Sequence, residues 1–341
     1  VEQTPAEGML EKLFAKNPGG FALNSWIAIG NGALADYNGG PALDHHMVGI
    51  NQLGIRLRKD GEKISFTMDV MFGRDSLYFE SHSNSSNRWD YSNLSLLKSR
   101  DRERYDWAVP QFYLSTTIGE TFIKAGHFLV DSHTGHYSTQ RFFATRTDGE
   151  MKVSPYTLTG VLAKRTIGKI NYHLGWSKGV NTGFDDMAGV PDSSTLLFGF
   201  QTKISETVSV RYNGYRGELS NLNAEEIFGV PMTISDSYGH DLTLTHKTSD
   251  KLTLVFYWGA NADKDYFRQS AFFFINEQIT IGQRHEKKIN SSGDVHWVGL
   301  NITSMKYSNL VLRPEIRIRN GDANEDWDGK ARFFMDAVLT Y

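Results

Sequence analysis

From Gly20 to the last residue, pairs of short period-two segments joined by tight turns alternate with long polar excursions, and this rhythm restricts the fold more than any single segment does. The tight turns fall at Lys59-Asp60-Gly61-Glu62, Ile118-Gly119-Glu120, Ile167-Gly168, Ser205-Glu206, Thr248-Ser249-Asp250, Asn276-Glu277-Gln278 and Tyr307-Ser308. Asp60-Gly61 is a strong hairpin signal, because both residues tolerate the positive φ of a two-residue turn. Long connections occupy 33–45, 74–105, 129–155, 178–193, 218–236, 287–294 and 320–329. The predicted strands are 20–32, 47–58, 64–73, 106–115, 121–128, 156–164, 169–177, 195–204, 207–217, 238–247, 251–258, 269–275, 279–286, 295–305, 309–319 and the closing stretch from 330. A soluble sandwich has no reason to keep short and long turns on opposite sides from end to end. A transmembrane antiparallel β-barrel of sixteen strands does, with short turns at one mouth and long loops at the other.

The closing stretch shows the same design locally. Phe333, Met335, Ala337, Leu339 and Tyr341 share one parity, and Arg332, Phe334, Asp336, Val338 and Thr340 the other. On the third strand Ile64, Phe66, Met68, Val70 and Phe72 oppose Ser65, Thr67 and Asp69. Successive strand side chains point to opposite faces, so one face would meet lipid and the other a wet lumen. The mean hydropathy of −0.40 excludes a helical membrane protein, and no run reaches the roughly 18 apolar residues of a membrane-spanning helix. A barrel hides its lipid face in an average composition, and 13% aromatic residues suit interfacial girdles. The absence of Cys excludes disulfides, thiolate metal sites and covalent haem attachment. A net charge of −3 gives no reason to expect nucleic acid as a partner. Residues 1–19 read as a separate leader with a short amphipathic helix, carried by Met9, Leu10, Leu13 and Phe14 behind Thr4-Pro5. Residues 20–341 read as the barrel.

Several stretches carry a resemblance. They are Asn51-Gln52-Leu53, Met68-Asp69-Val70-Met71-Phe72-Gly73-Arg74-Asp75, Pro110-Gln111-Phe112-Tyr113 and Gly126-His127-Phe128, then Gly282-Gln283-Arg284-His285-Glu286 and Leu310-Val311-Leu312-Arg313-Pro314-Glu315-Ile316-Arg317. Together they resemble the OmpL-like type of β-barrel porins. Where that family usually has Gly-Tyr-Glu, this chain has Gly135-His136-Tyr137. The resemblance implies a channel integral to a bacterial outer membrane, with both termini periplasmic, surrounded by lipid and lipopolysaccharide, passing small hydrophilic solutes or ions. A homotrimer is the assembly expected by analogy with other sixteen-stranded porins.

Parity assigns the lumen Arg56 and Arg58, Asp69, Arg211, Arg284 and Glu286, Arg313, Glu315, Arg317 and Arg319, and Arg332 and Asp336. Strands thirteen to sixteen adjoin the first two across the closure, so these arginines would form one mostly basic wall. Fixed positive charge in a pore concentrates anions and excludes cations. The competing reading is a wall held rigid by cross-strand pairs, Arg313 with Glu286 for example. In trimeric sixteen-stranded porins the loop in the position of the third long connection, 129–155, folds into the channel, and by that analogy it would do so here; a surface loop is the alternative. Here its candidates for a constriction are Asp131, His136, Arg141, Arg146 and Glu150, with Asp131 or Glu150 facing the arginines.

Weaker patterns complete the inventory. Residues 322–328 space acidic groups as calcium loops do, but lack the glycine and bidentate Glu of an EF-hand. His45-His46, and His127 with His133 and His136, sit at loop spacings that argue against a metal site. The run Arg100, Arg102 and Arg104, interleaved with Asp101 and Glu103, would either pair with itself or clamp lipopolysaccharide phosphates. Ser132, His136 and Asp131 could be assembled into a hydrolase triad, yet no nucleophile signature accompanies them. The expected function is therefore passive diffusion without catalysis or cofactor. A plugged barrel that serves as a surface scaffold is the alternative.

Overall fold

The computed structural model describes residues 20–31, 48–79, 105–130, 135–145, 157–179, 194–219, 235–261, 265–289, 293–321 and 329–341. They form sixteen strands: β1 Phe21–Gly30, β2 Gly49–Lys59, β3 Ser65–Gly73, β4 Asp106–Ile118, β5 Thr121–Leu129, β6 Thr157–Ile167, β7 Ile170–Ser177, β8 Thr195–Lys203, β9 Val208–Leu219, β10 Ser235–Ser249, β11 Leu252–Asn261, β12 Asp265–Phe274, β13 Ile279–Lys288, β14 Asp294–Thr303, β15 Leu310–Asn320 and β16 Ala331–Thr340. Each pairs antiparallel with its sequence neighbours, and β1 closes on β16 from Trp26↔Thr340 to Gly30↔Asp336. Closure leaves no free sheet edge, so every strand meets its backbone hydrogen-bonding demand within the wall.

Several strands extend beyond the apolar alternation that predicts them, β4 to Ile118 and β6 to Ile167 among them. β10 starts at Ser235, β11 runs on to Asn261 and β12 begins at Asp265. The added residues include Gly259 and Ala260, whose small side chains carry no period-two signal, while the ladder continues through Ala260↔Asp265. The expected helix within 1–19 lies outside the described residues.

The outer face is apolar. Ile55, Leu114, Leu174, Leu196, Val298 and Phe333 are exposed there. Aromatics collect at both ends of the wall, with Trp107, Trp176, Tyr238 and Phe267 toward the long connections and Phe21, Tyr172, Phe273 and Tyr341 toward the short turns. This is the double girdle of a membrane barrel, whose amphipathic rings sit at the two interfaces. The described apolar clusters of the interior include Phe128, Leu158, Leu162, Leu197 and Tyr215 on one side and Phe143, Val295 and Trp297 on the other.

Candidate functional site

The interior is organised by residues 135–145, the described part of the connection between β5 and β6. This segment lies inside the barrel. It carries a 3-10 turn at Ser138–Gln140, capped by the Gln140 side chain on the backbone N–H groups of His136 and Tyr137 at 3.1 and 3.4 Å. Such a buried loop must satisfy its backbone polar groups from the walls around it.

One set of partners comes from β1 to β3. Trp26 Nε1 and the Ser138 backbone N–H both donate to Gln52 Oε1, at 3.0 and 2.9 Å. Gln52 Nε2 in turn donates to Asp75 Oδ2 at 2.6 Å, and Arg141 Nη2 donates to the same oxygen at 3.0 Å. Asp75 is placed by a 3-10 turn at Arg74–Tyr78 that leaves β3 through Gly73. Gly73 has φ 139°, and a Cβ there would meet the Asn51 carbonyl oxygen at 2.5 Å, so both conformation and space require glycine. Beside this, the Tyr137 hydroxyl donates to Asp69 Oδ2 at 2.5 Å. Asp69 is fully buried and also accepts Gln111 Nε2 at 2.6 Å and a bidentate pair from Arg56, both bonds 2.7 Å. The Tyr137 ring packs between Trp26 and Phe79, with centroids at 4.8 and 5.7 Å.

The other partners come from β12 to β16. Arg313 forms a bidentate pair with Asp336, its register partner on β16. Its Nη1 also donates to the Ser138 and Arg141 carbonyls at 2.6 and 2.7 Å. One guanidinium thereby joins two strands to the inserted turn, using the fork geometry that a lysine lacks. The Thr145 backbone N–H and hydroxyl donate to Glu315, and Trp297 Nε1 donates to the Thr145 hydroxyl at 3.0 Å. Between these anchors Phe142 and Phe143 lie on the wall over Gly282 and Gly299, which are register partners on β13 and β14. Arg284 stands over Phe143 at 4.2 Å, Arg317 over Trp297 at 4.9 Å and Arg268 over Tyr257 at 4.3 Å. Desolvated cation–π contacts of this kind are each worth about 2 kcal/mol.

The seat for Phe142 yields a prediction. A Cβ at Gly282 would overlap the Phe142 ring. Gly282→Val is expected to cost about 1–3 kcal/mol through overpacking. It should lower the unfolding midpoint of the detergent-folded barrel and open residues 135–145 to protease. An unchanged midpoint with an uncut segment would show that the glycine pair is not a seat.

The inserted segment divides the lumen-facing residues in two. Arg284, Glu286, Arg313, Glu315 and Arg317 all project inward but are only 1–4% exposed, so they do not border open space, and Arg284, Arg313 and Glu315 touch the segment. The expected Arg313–Glu286 pair does not form. β14 separates β13 from β15, and Glu286 instead stands 4.0 Å from Arg268 while Arg313 takes Asp336. His136 and Arg141 lie in the segment, whereas Asp131, Arg146 and Glu150 lie outside the described residues. Among the described residues the acids come from the wall, as Asp69, Asp75 and Glu315, and the segment supplies donors. The Ser138 and Arg141 carbonyls of the segment in turn accept from Arg313.

On the opposite side a cavity of about 660 Å³ remains. Arg56, Arg58, Lys124, Lys164 and Arg211 line it, with Gln111, Gln201 and the inserted Tyr137. Among the described lining residues there is no Asp or Glu. The space continues toward the short turns past Lys164, Gln201 and Arg211, with Glu120 bordering that lower part. Lys124 stands over the Phe128 ring at 4.2 Å. Lys124 and Lys164 escape a sequence search for basic walls, because each supplies one inward cation to a strand whose other inward residues are apolar, Gly or Thr.

The remaining sequence candidates fall apart or lie outside. His127 contacts the Thr159 hydroxyl at 2.8 Å and His136 Nε2 contacts the Val130 carbonyl at 2.5 Å, and among the described residues neither joins a metal set. His45, His46, His133, the triad candidates Asp131 and Ser132, the run 100–104 and the acidic stretch 322–328 lie outside the described residues.

Comparison with known proteins agrees with this architecture. The family model described as "Putative beta-barrel porin-2, OmpL-like" matches residues 31–340. Among solved structures, a mutant of the porin of Rh. blastica is similar at a TM-score of 0.60 with 11% identity, covering 94% of this chain and 100% of that one. Outer-membrane expressed OmpT of Vibrio cholerae is similar at a TM-score of 0.54 with 10% identity, covering 94% of this chain and 97% of that one. No curated protein matches the sequence.

Proposed function

Because the chain belongs to the OmpL-like β-barrel porin family, we propose that this outer-membrane barrel is a diffusion pore that prefers small anions. The observation that carries the preference is the open side of the lumen. Arg56, Arg58, Lys124, Lys164 and Arg211 border the cavity, and no described carboxylate borders it beside the inserted segment. Low-dielectric walls focus such a field and raise the local anion concentration. Asp69 offsets Arg56 and Asp60 offsets Arg58, at 2.7 and 2.8 Å. Arg56, Arg58, Lys124, Lys164 and Arg211 together set the sign of the field along the cavity.

The inserted segment sets the width of the passage and the wall sets its sign, so transport proceeds by diffusion and not by catalysis. The long loops face the outside, where lipopolysaccharide surrounds the girdle, and both termini lie in the periplasm. The homotrimer of other sixteen-stranded porins is the assembly this reading adopts. The test is single-channel recording of the refolded protein in a planar bilayer under a KCl gradient. Discrete conductance steps with an anion-side reversal potential are expected. A cation-side reversal would overturn the preference. Electrical silence from correctly folded protein would overturn the pore and favour a scaffold.

A further inference from the structure

A second group of chemistry-bearing side chains lies on the outer wall, away from the lumen. His285 on β13 and His296 on β14 are cross-strand register partners, and Asp294 opens β14 two residues earlier. On these strands Arg284, Glu286, Val295 and Trp297 point inward and are buried, so the alternating His285, Asp294 and His296 point outward. Their side chains are 21%, 28% and 40% exposed. The next outward positions toward the membrane centre are Gln283 and Val298, followed across β15 by the exposed Ile316. The group therefore stands at the edge of the apolar band, at the end of the barrel that bears the long connections.

Its geometry resembles a ligand set more closely than a hydrogen-bonded pair. The imidazoles stack at 4.3 Å with their planes 16° apart. Both Nε2 atoms lie 3.4 Å from the same oxygen, Oδ2 of Asp294. That is longer than an ordinary N–H···O bond of about 2.7–3.2 Å. It matches the ligand-to-ligand edge of a tetrahedral site, which comes to about 3.4 Å for metal–ligand bonds near 2.0–2.1 Å. The three candidate ligand atoms lie within 4.8 Å of one another. The other carboxylate oxygen, Oδ1, accepts Asn320 Nδ2 from β15 at 3.0 Å, which fixes the direction in which Oδ2 points. Such an outer hydrogen bond is the usual support of a metal-ligating carboxylate.

We propose that His285, Asp294 and His296 bind a divalent transition-metal ion of the zinc class at the outer rim of the barrel, with the fourth position taken by water. Two imidazoles and one carboxylate are the donor set that zinc accepts when one position stays open. The stacked rings tilt apart in this reading to aim both nitrogens at one ion. Lys287, the register partner of Asp294, competes for the carboxylate and moderates the affinity. The ion would tie β13 to β14 immediately below their connection.

The experiment uses the full chain refolded in detergent and stripped with chelator, with Zn²⁺ and then Co²⁺ as probes. One equivalent of Zn²⁺ per chain is expected by calorimetry, with a rise in the thermal midpoint. Co²⁺ should give the intense visible bands of tetrahedral coordination. His285→Ala and His296→Ala point outward and should leave the fold intact by circular dichroism while losing the Co²⁺ bands. Asn320→Ala should weaken binding by about tenfold or more. Equal Zn²⁺ binding by the wild type and the His285→Ala/His296→Ala double variant would overturn the site, as would no binding by folded wild type. Octahedral Co²⁺ spectra unaffected by either histidine variant would overturn it too.

Discussion

Arg313→Ala is expected to release the inserted segment and turn a narrow, quiet channel into a wider, noisier one. Arg313 meets Asp336 on the neighbouring strand and two carbonyls of the inserted turn, and both it and Asp336 are nearly fully buried. Its removal strands Asp336 as an uncompensated buried charge, a loss of about 3–5 kcal/mol. The Ser138 and Arg141 carbonyls lose their donor in the same step. The wall itself is held by ladders on both sides of β15 and β16, so the damage falls on the segment. Single-channel conductance should rise with added fluctuation, and residues 135–145 should become open to protease from the lumen. Arg313→Lys keeps the charge but cannot hold a bidentate carboxylate and two carbonyls together, so its effect should lie between wild type and alanine. Wild-type conductance and noise in a well-folded alanine variant would show that the segment is held without this residue.

The second large effect concerns selectivity. Arg58→Glu, Lys164→Glu and Arg211→Glu together change six units of charge along the open cavity, two at each of three positions that line it. The reversal potential under a KCl gradient should cross from the anion side to the cation side. At about 0.1 M salt the screening length is about 10 Å, so each single change should move it part of the way. These side chains are exposed or half-buried, so folding should tolerate the substitutions. Arg284 and Arg317 provide the contrast. They lie under Phe143 and beside Trp297, so neutralising them should disturb the segment more than the sign of selectivity. A triple variant with unchanged selectivity would remove the cavity cations from the mechanism.

The barrel was legible in the sequence because its determinants are local. Alternation decides which face meets lipid, and turn chemistry decides where a hairpin closes. Ile64 to Phe72 and Phe333 to Tyr341 needed nothing beyond period two, and Asp60-Gly61 marked its turn without help. Parity also identified which arginines turn inward, but it does not say what lies above a side chain. Arg313 and Glu286 looked like a pair because both are charged and inward, and the strand between them ruled the pair out. In the barrel Gly282 and Gly299 are the floor under Phe142 and Phe143, a role that period two does not signal.

The candidate sites depended on contacts between residues far apart in the chain. Asp75, Gln52 and Ser138 converge although they are up to 86 positions apart. Thr145 meets Glu315 across 170 positions. His285 and His296 carry no spacing signal, because a cross-strand neighbour is set by register and not by sequence distance. The sequence by itself determined the sixteen-strand barrel, its lipid face and the parity of charged residues such as Arg284 and Arg313, since each follows from neighbours one or two residues away. Only the tertiary structure decided which of those charges border open water and which lie beneath the inserted segment. Burial of an inward side chain depends on what the rest of the chain lays over it, and period two contains no record of that.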